Sequence, residues 1–414
     1  MIQEERIRKL VSKYGTPFYG FDADVLSKRV NYLKASMPEN VELCYAAKAN
    51  SFILKLLENK VTHFEICSPG EFHICKKLQI SNQQIVLSGV YKNKEDIEEI
   101  FSDKEELPIM TIESFEQYKL IQELADIYQR DVSVLLRLTS GNQFGLDKDV
   151  LKEILVRCRS SRLHVLGIQY FSGTQKHSQK RVLKELDLLE EFLTELKEMD
   201  FVPELLEYGP GFPVDYFSSM KFEENEHLQF FSEAIKRFGN LKIVLELGRS
   251  IVASCGFYVT QVVDTKTNRN QNYALVDGGI HHLVYYGQGM AMKQPPFRFL
   301  NQKDQPEDNW NVCGALCTIN DILMKQVSLP KPQIGDLFVF ENSGAYCPTE
   351  GMSLFLTRDL PAVVIVNEKE EWMVRDHTSV VSLNAPKLKE IKTWKQLWRF
   401  YRRSNRIWIA QEKI

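Results

Sequence analysis

Residues 41–90 contain three short apolar runs, VELCYAAKA (41–49), HFEICS (63–68) and IVLSGV (85–90), separated by longer and more charged stretches. The runs are rich in β-branched and aromatic residues, whereas the stretches between them carry apolar residues at three- and four-residue spacing. Strands that alternate with amphipathic helices are typical of βα units joined in a parallel sheet. This part of the chain therefore predicts a parallel α/β fold.

Five more runs of the same character follow, and they are IMTIES (109–114), VSVLLRLT (132–139), RLHVLGIQYF (162–171), PELLEYG (203–209) and KIVLEL (242–247). Eight strands, each followed by a helix, are what a closed (β/α)8 TIM barrel requires. We therefore predict such a barrel over residues 26–256. Its reactive groups should lie at the C-terminal strand ends, where the sequence places Lys48, Glu65, Arg137 and Glu246.

The runs beyond residue 256 are shorter, strand-like and separated by Gly, Asn, Asp and Pro. They predict a C-terminal all-β domain over residues 257–386, which we expect the N-terminal segment 1–25 to join. The last segment, 387–414, is basic, carries three of the five tryptophans and has the apolar spacing of a helix. Packing of this helix on the β domain or at a dimer seam is favoured over docking of an acidic carrier protein and over contact with a membrane surface.

The overall composition argues against several classes of protein. The chain has 414 residues with 52 Lys and Arg against 55 Asp and Glu, and the net charge of -3 argues against a dedicated nucleic-acid binder. The start, MIQEERIRKL, predicts neither a signal peptide nor an anchor, and no continuous apolar run predicts a membrane span. Eight cysteines without a Cys-x-x-Cys pair favour reduced thiols in the cytoplasm over a disulfide framework or a metal site.

Three features at the predicted barrel mouth carry chemistry. Lys48 lies between small residues in YAAKAN, where it is either a Schiff-base lysine or a lysine bent out to solvent. Gly209 and Gly211 in EYGPGF let the backbone approach a phosphate, although a tight turn would also explain them. In ELGRS, Glu246 can hold a proton on an aromatic ring nitrogen and Arg249 can face a phosphate or carboxylate, unless the two form a surface pair. Together these groups suit pyridoxal phosphate.

The chain resembles the fold-type III pyridoxal-phosphate decarboxylases, the family of diaminopimelate, ornithine and arginine decarboxylases, which is related in fold to alanine racemase. The resemblance rests on motifs that occur in the family's order, namely TPFYGFDADVL, YAAKAN, FEICSPGEF, LGIQYFSGTQ, EYGPGF, ELGR, VDGGIHH, GALCTINDIL and GDLFVFENSGAY. It implies an alanine racemase-like barrel, a second β domain and a homodimer with shared active sites.

The resemblance also implies a role for each matched residue. Lys48 would bind the cofactor covalently, Glu246 would hold the proton on its ring nitrogen, and Cys317 would protonate the substrate carbon after carbon dioxide leaves. The residues implied to surround the cofactor are Lys48, Arg137, Phe171, Gly209, Gly211, Glu246, Gly248, Arg249 and Tyr346. Those implied to bind the substrate are Arg249, Cys317, Thr318, Asp321 and Tyr346, with Cys317 and Asp321 reaching across the dimer interface.

The sequence departs from the family pattern at several of these positions. Gln169 and Phe171 stand where the family has histidines, and Pro210 replaces the middle glycine of a triple glycine, which removes one backbone donor. Thr318 replaces a glutamate that reads the distal amino group of diaminopimelate, and an Arg-Pro element that holds its distal carboxylate is missing after VDGGIHH. Diaminopimelate is therefore a doubtful substrate. The pattern looks more like a specialised-metabolism branch, which includes a decarboxylase of a carrier-tethered glutamyl group in butirosin biosynthesis.

We therefore expect a pyridoxal-phosphate-dependent decarboxylase of a free amino acid or of an aminoacyl group on an acyl carrier protein. The alternatives are a diaminopimelate- or ornithine-type decarboxylase of primary metabolism, an amino-acid racemase on the same fold, and a non-catalytic relative. The non-catalytic relative would be either a carrier of the cofactor or a regulatory protein that has lost it. A racemase of this fold places an arginine opposite the ring nitrogen, so Glu246 favours decarboxylation. The joint presence of Lys48, Glu246, Cys317 and Tyr346 argues against loss of catalysis.

Overall fold

The computed structural model describes residues 2–217, 222–289, 291–300 and 306–386. The helix predicted over 387–414 lies outside the described residues. Within the described ranges, no helix is both long enough and apolar enough to cross a bilayer. The chain begins with helix α1 (Glu4–Tyr14) and strand β1 (Phe18–Asp22), and β1 belongs to the second of two sheets.

The predicted (β/α)8 barrel is confirmed. Strands β2 to β9 are parallel and pair in chain order, and β9 closes on β2 with Val41 opposite Ile243. All eight coincide with the predicted runs, and their bounds are β2 (Val41–Ala46), β3 (His63–Ile66), β4 (Ile85–Leu87), β5 (Ile109–Ile112), β6 (Val132–Leu138), β7 (Leu163–Phe171), β8 (Leu205–Gly209) and β9 (Lys242–Leu247).

Helix α2 precedes the first barrel strand, and the other helices of the barrel follow its strands. Their bounds are α2 (Ala23–Ala35), α3 (Leu54–Leu57), α4 (Pro69–Lys77), α5 (Lys94–Ser102), α6 (Phe115–Tyr128), α7 (Lys148–Cys158), α8 (Gln179–Glu198), α9 (Glu224–Ile235) and α10 (Arg249–Val252). Several begin at a side chain that accepts a hydrogen bond from the first-turn backbone, as Ser68, Ser114 and Ser178 do. Such caps satisfy backbone N–H groups that have no partner within the helix.

The barrel interior is apolar in its middle and polar at its C-terminal mouth. One buried cluster contains Cys44, Val86, Leu135, Leu205 and Val244, all on barrel strands. Because side chains alternate along a strand, the residue two positions later on each strand faces the same side. At the ends of β6, β8 and β9 these residues are arginine or glutamate. The apolar layer thus forms a floor beneath a polar mouth.

The second unit is built on a mixed sheet of strands β10 to β17 with β1. The bounds of its remaining elements are β10 (Gly256–Asn268), β11 (Gln271–Val276), β12 (Phe297–Leu300), β13 (Glu307–Cys313), β14 (Ile322–Pro330), β15 (Leu337–Glu341), α11 (Cys347–Glu350), β16 (Ala362–Val366), β17 (Glu371–Arg375) and α12 (Val381–Asn384). The strand order is β14-β13-β11-β10-β1-β16-β17, with β15 paired to both β10 and β12.

The N-terminal strand β1 is central to this sheet. It runs antiparallel to β10, with Phe18 opposite Val259, and parallel to β16, with Phe18 opposite Ala362. Helix α1 packs its buried Ile7 and Leu10 on the same apolar cluster as Phe18. Strand β1 thus belongs to the second sheet, and the predicted limits, 26–256 and 257–386 with segment 1–25 added to the second, stay a prediction.

Gly167 of β7 provides a test of how tightly the barrel is packed. A methyl group at this position would lie 1.8 Å from the carbonyl oxygen of Leu205 on β8, so the backbone would have to move. We expect Gly167→Ala to lower the free energy of unfolding by about 2 kcal/mol, measured by urea denaturation.

Gly70 is the matched control, because it lies exposed in helix α4 with only Ser68 Oγ, at 3.9 Å, near its would-be methyl group. Gly70→Ala should leave the free energy of unfolding unchanged or raise it slightly, since alanine favours a helix. Equal effects of the two substitutions would contradict the packing argument.

Candidate active site

Lys48 lies at the centre of the barrel mouth. Strand β2 ends at Ala46, and a short 3-10 turn over Ala47–Ala49 carries the lysine inward. Its ammonium donates to Glu65 Oε2 at 2.6 Å and to Glu246 Oε1 at 3.4 Å, and its side chain stays 39% exposed. The lysine is therefore held between two buried carboxylates and faces the opening of the barrel.

The three charges shift one another's pKa. Burial lowers the pKa of Lys48, but the carboxylates of Glu65 and Glu246 outweigh it and hold the pKa well above its usual value. Burial raises the pKa of Glu65, yet the lysine reverses this and the net shift is downward. Burial and the charge of Glu65 raise the pKa of Glu246 to about 7. Glu65 is thus the permanent anion beside Lys48, whereas Glu246 exchanges its proton near neutral pH.

A second layer of buried polar groups lies below these residues. Gln169 of β7 donates to Ser88 Oγ at 3.2 Å and to Glu207 Oε1 at 3.1 Å. Burial, reinforced by the charges of Glu246 and Glu65, raises the pKa of Glu207 well above its usual value. Its surroundings therefore favour the protonated form of Glu207 over the carboxylate.

Arg137 and Phe171 stand at the ends of β6 and β7. The Arg137 guanidinium is buried and pairs with Glu113 at 3.2 Å, and it lies 4.9 Å from the ring centroid of Phe144. Phe171 lies directly against Gly209, since a methyl group at Gly209 would come within 2.3 Å of its ring. The ring therefore covers the start of the glycine turn.

The glycine turn after β8 packs closely on the segment after β7. Gly211 has a left-handed backbone, with φ of 61°, and a methyl group there would lie 2.2 Å from the carbonyl oxygen of Gly173. Only glycine satisfies both the conformation and the close approach. The structure therefore contains a tight turn here, and its binding of a phosphate stays a prediction.

Arg249 and Tyr346 complete the mouth on the side of β9. The Arg249 guanidinium lies 4.5 Å from the ring centroid of Tyr346 and donates to the Tyr216 hydroxyl at 3.0 Å. A methyl group at Gly248 would lie 3.1 Å from Ala49 Cβ and 3.4 Å from the Tyr346 hydroxyl, so this position is closely packed. The backbone N–H of Tyr346 donates to Ala49 at 2.7 Å, which ties the second unit to the turn of Lys48.

Glu246 and Arg249 do not pair with each other. Glu246 accepts from Lys48, and Arg249 donates to Tyr216. The alternative of an isolated surface pair in ELGRS is therefore not what the structure contains. Both residues face the same mouth from adjoining positions of β9 and α10.

The other predicted substrate residues lie apart from this cluster. Cys317 is exposed, and no hydrogen bond or ion pair joins Cys317 or Thr318 to Lys48 within the described part of the chain. Asp321 is 3% exposed, and its two oxygens accept the N–H groups of Ile280 at 2.8 Å and Leu316 at 2.7 Å. In one chain, Asp321 therefore ties two loops together.

The residues at the mouth fit pyridoxal phosphate. Lys48 supplies an amine, and Glu246 supplies a carboxyl group that can face a ring nitrogen. The Nε of Arg249 is buried and has no hydrogen-bond partner among the described residues, which leaves it available to an anionic ligand. The donor set thus matches an aldehyde, a ring nitrogen and a phosphate.

Sequence reasoning identified several of these positions but missed others. Glu65 and Ser88 were recognisable only as polar strand ends, with no partner assigned to them. Glu207, Cys67 and Lys176 gave no signal, although the Cys67 sulfur lies 3.8 Å from the Lys48 ammonium. Their contacts depend on side-chain geometry between different strands, which spacing along one strand does not contain.

The raised pKa of Glu246 predicts a pH-dependent stability in the cofactor-free protein. A carboxyl group whose pKa rises from 4.5 to about 7 on folding stabilises the fold fully below pH 4.5 and loses that contribution as the pH rises through 7. Glu246→Gln removes this titration. Across that range the variant should gain on the order of 3 kcal/mol relative to the wild type, measured by denaturation at a series of pH values.

Glu195→Gln is the control for this pH series. Glu195 lies on α8, where hydrogen bonds from Lys148 and Lys152 lower its pKa. The sign is therefore opposite, because its stabilising contribution is present above pH 4.5 and is lost in acid. Parallel pH curves for the wild type and Glu246→Gln would rule out the raised pKa of Glu246.

Comparison with known proteins identifies the family. The family model for the pyridoxal binding domain of pyridoxal-dependent decarboxylases matches residues 23–253, more than half of the chain. The L-glutamyl-[BtrI acyl-carrier protein] decarboxylase of Niallia circulans is 25% identical over 404 residues, which cover 90% of this chain and 94% of that protein. The diaminopimelate decarboxylase of Helicobacter pylori is 26% identical over 361 residues, covering 82% and 87%.

Solved structures support the same conclusion for the fold. The crystal structure of Helicobacter pylori diaminopimelate decarboxylase complexed with L-lysine superimposes with a TM-score of 0.80 at 23% identity, covering 94% of this chain and all of that one. The match includes both the barrel and the second sheet, since it extends over nearly the whole chain. The chain belongs to the pyridoxal-dependent decarboxylase family and is a pyridoxal-phosphate-dependent carboxy-lyase.

Proposed function

We propose that this enzyme decarboxylates an aminoacyl group carried on an acyl carrier protein, with a free amino acid as the alternative substrate. One observation supports the assignment of this activity to the barrel mouth: the Lys48 ammonium lies between Glu65 and Glu246 there. The carrier-bound substrate is supported by the relative from Niallia circulans, which matches over 90% of this chain. Thr318 and the missing Arg-Pro element disfavour diaminopimelate.

Pyridoxal phosphate supplies an electron sink for the bond between the substrate carbon and its carboxylate. Lys48 would hold the cofactor covalently, and Glu65 would orient the lysine. Glu246 would hydrogen-bond the ring nitrogen as a carboxylate and so favour the protonated ring. A retained ring proton strengthens electron withdrawal, which favours decarboxylation over the racemase alternative.

The remaining residues bind and orient the cofactor. Gly209, Gly211 and Gly248 would allow the backbone to approach the phosphate, and Arg249 and Tyr346 would contribute side chains there. Phe171 would offer an aromatic face to the ring, and Arg137, fixed by its pair with Glu113, would line the mouth beside it. Arg249 and Tyr346 also bound the space for the substrate carboxylate.

The substrate end of the site requires a second copy of the chain. Cys317 lies in an exposed turn, and we assign it as the proton donor to the partner's site in a homodimer. Thr318 follows it at the substrate, and Asp321 contributes by holding the turn through Leu316. We place the enzyme in the cytoplasm, which the cysteine pattern of the sequence supports.

Lys48→Ala tests the covalent attachment. We expect the purified variant to lose the yellow absorbance of the bound cofactor and all release of carbon dioxide, because no amine remains in reach of the aldehyde. Lys55→Ala is the control, since Lys55 pairs only with Glu58 on the surface of α3. Borohydride trapping and mass spectrometry that located the cofactor on another lysine would contradict the assignment.

Cys317→Ala tests the shared site. We expect it to keep the absorbance of the bound cofactor and to slow turnover at least tenfold, whereas Cys313→Ala, in the preceding strand, should not. Mixing Lys48→Ala with Cys317→Ala subunits should restore about one quarter of the wild-type activity, because half of the dimers would hold one intact site. Full activity of Cys317→Ala, or no restoration on mixing, would refute this role.

The substrate class is tested by comparing carbon dioxide release from free and tethered substrates. We expect turnover of a glutamyl group on an acyl carrier protein to exceed that of free glutamate, lysine, ornithine, arginine and diaminopimelate by at least tenfold in kcat/KM. Faster turnover of a free amino acid would favour the primary-metabolism alternative. Deuterium uptake at the substrate carbon with the carboxylate retained would favour the racemase.

A further inference from the structure

Lys176 is a buried lysine that the mechanism above does not use. Its side chain has no exposed surface, although it directly follows the LGIQYFSGTQ motif at the end of β7. The ammonium donates to Glu185 Oε2 at 2.6 Å and to the carbonyl oxygen of Gly209 at 3.2 Å. A charge without solvent is costly unless its partners are well placed, so this arrangement needs an explanation.

Glu185 of α8 is the counter-charge, and it is fully satisfied. It accepts from Lys176, from the Tyr208 hydroxyl at 2.8 Å, from Arg181 at 3.4 Å and from the Ser172 hydroxyl. These donors lie after the end of β7, on β8 and on α8 itself. The ion pair therefore joins α8 to the ends of β7 and β8.

The segment that carries Lys176 is pressed against the glycine turn. The Lys176 backbone N–H donates to the carbonyl oxygen of Gly211 at 2.9 Å, and the Gln175 side chain bonds both the N–H and the carbonyl oxygen of Val214. Gln175 itself adopts a left-handed backbone, with φ of 55°, which is costly for a residue other than glycine. Together these contacts fix the segment that carries Lys176 in one position relative to the glycine turn.

The contact to Gly209 is the one that bears on the cofactor. Gly209 is followed by Pro210, whose nitrogen has no hydrogen to donate, so the peptide between them can be held only through its carbonyl oxygen. Lys176 is the residue that donates to that oxygen. Its ammonium therefore sets the orientation of the peptide plane that leads into Gly211.

We propose that Lys176 is a positioning residue for the cofactor phosphate: its ammonium, held by Glu185, fixes the Gly209–Gly211 turn so that the backbone can receive the anion. The proposal rests on the assignment of this turn to the phosphate under the proposed function. A buried ion pair that merely stabilises the barrel would have no effect specific to the phosphate group. Comparing ligands with and without phosphate separates the two roles.

The test titrates the cofactor-free full-length protein with pyridoxal phosphate and with pyridoxal, following visible absorbance. Lys176→Met removes the ammonium, while Glu185 keeps its other three donors. We expect the Kd for pyridoxal phosphate to rise about tenfold, the loss of one charge-assisted hydrogen bond, and the Kd for pyridoxal to change less than about twofold. Lys148→Met is the control. It breaks a pair with Glu195, which lies on α8 like Glu185, and it should change neither Kd.

A second variant guards against loss of folding. The double variant Lys176→Met/Glu185→Gln removes both charges. Its thermal midpoint should lie closer to that of the wild type than the midpoint of Lys176→Met does, while its affinity for pyridoxal phosphate stays weak. Equal losses for both ligands, an unchanged preference for the phosphate form, or failure of both variants to fold would overturn the positioning role. A wild-type protein that bound pyridoxal as tightly as pyridoxal phosphate would instead refute the phosphate assignment of the turn.

Discussion

The barrel mouth is organised by one ammonium group shared between two buried carboxylates. Lys48 is held at 2.6 Å from Glu65 and 3.4 Å from Glu246, and each of these side chains would be unfavourable where it is without the other two. The two carboxylates are buried, whereas the lysine that pairs with them remains partly exposed at the mouth. Burial and the charge of Glu65 raise the pKa of Glu246 to about 7, whereas Lys48 lowers the pKa of Glu65 in spite of its burial. Two carboxylates of one kind are thereby given different tasks.

Much of the architecture was predictable from the sequence because it follows from periodicity. Each barrel strand was visible as a short apolar run, and the change of pattern near residue 256 coincides with the start of β10. Strands such as β12 and β13 were not identified individually, since their residues are mixed in polarity and irregularly spaced. Their place in the sheet is set by pairing with β15 and β11, which are distant in sequence.

The site was predictable where one residue type at one strand end is informative alone. Lys48, Glu246 and the glycines after β8 belong to that group, and the structure brings them to one mouth with Arg249 and Tyr346. Partnerships between strands were not predictable, because they depend on where side chains meet across the barrel. Glu207 and Gln169 on neighbouring strands, and Lys176 with Glu185, are examples. In the proposed homodimer, the position of Cys317 relative to an active site likewise depends on the partner subunit.

The central place of β1 has a consequence for the order in which the protein is made. This strand leaves the ribosome early, but both of its neighbours, β10 and β16, lie more than 200 residues downstream. The barrel can close before either neighbour exists, since all of its strands lie between Val41 and Leu247. The apolar segment Phe18–Asp22 therefore has no partner strand until β10 has been synthesised. Chaperone binding to this segment of the nascent chain would protect strand edges that the finished molecule no longer exposes.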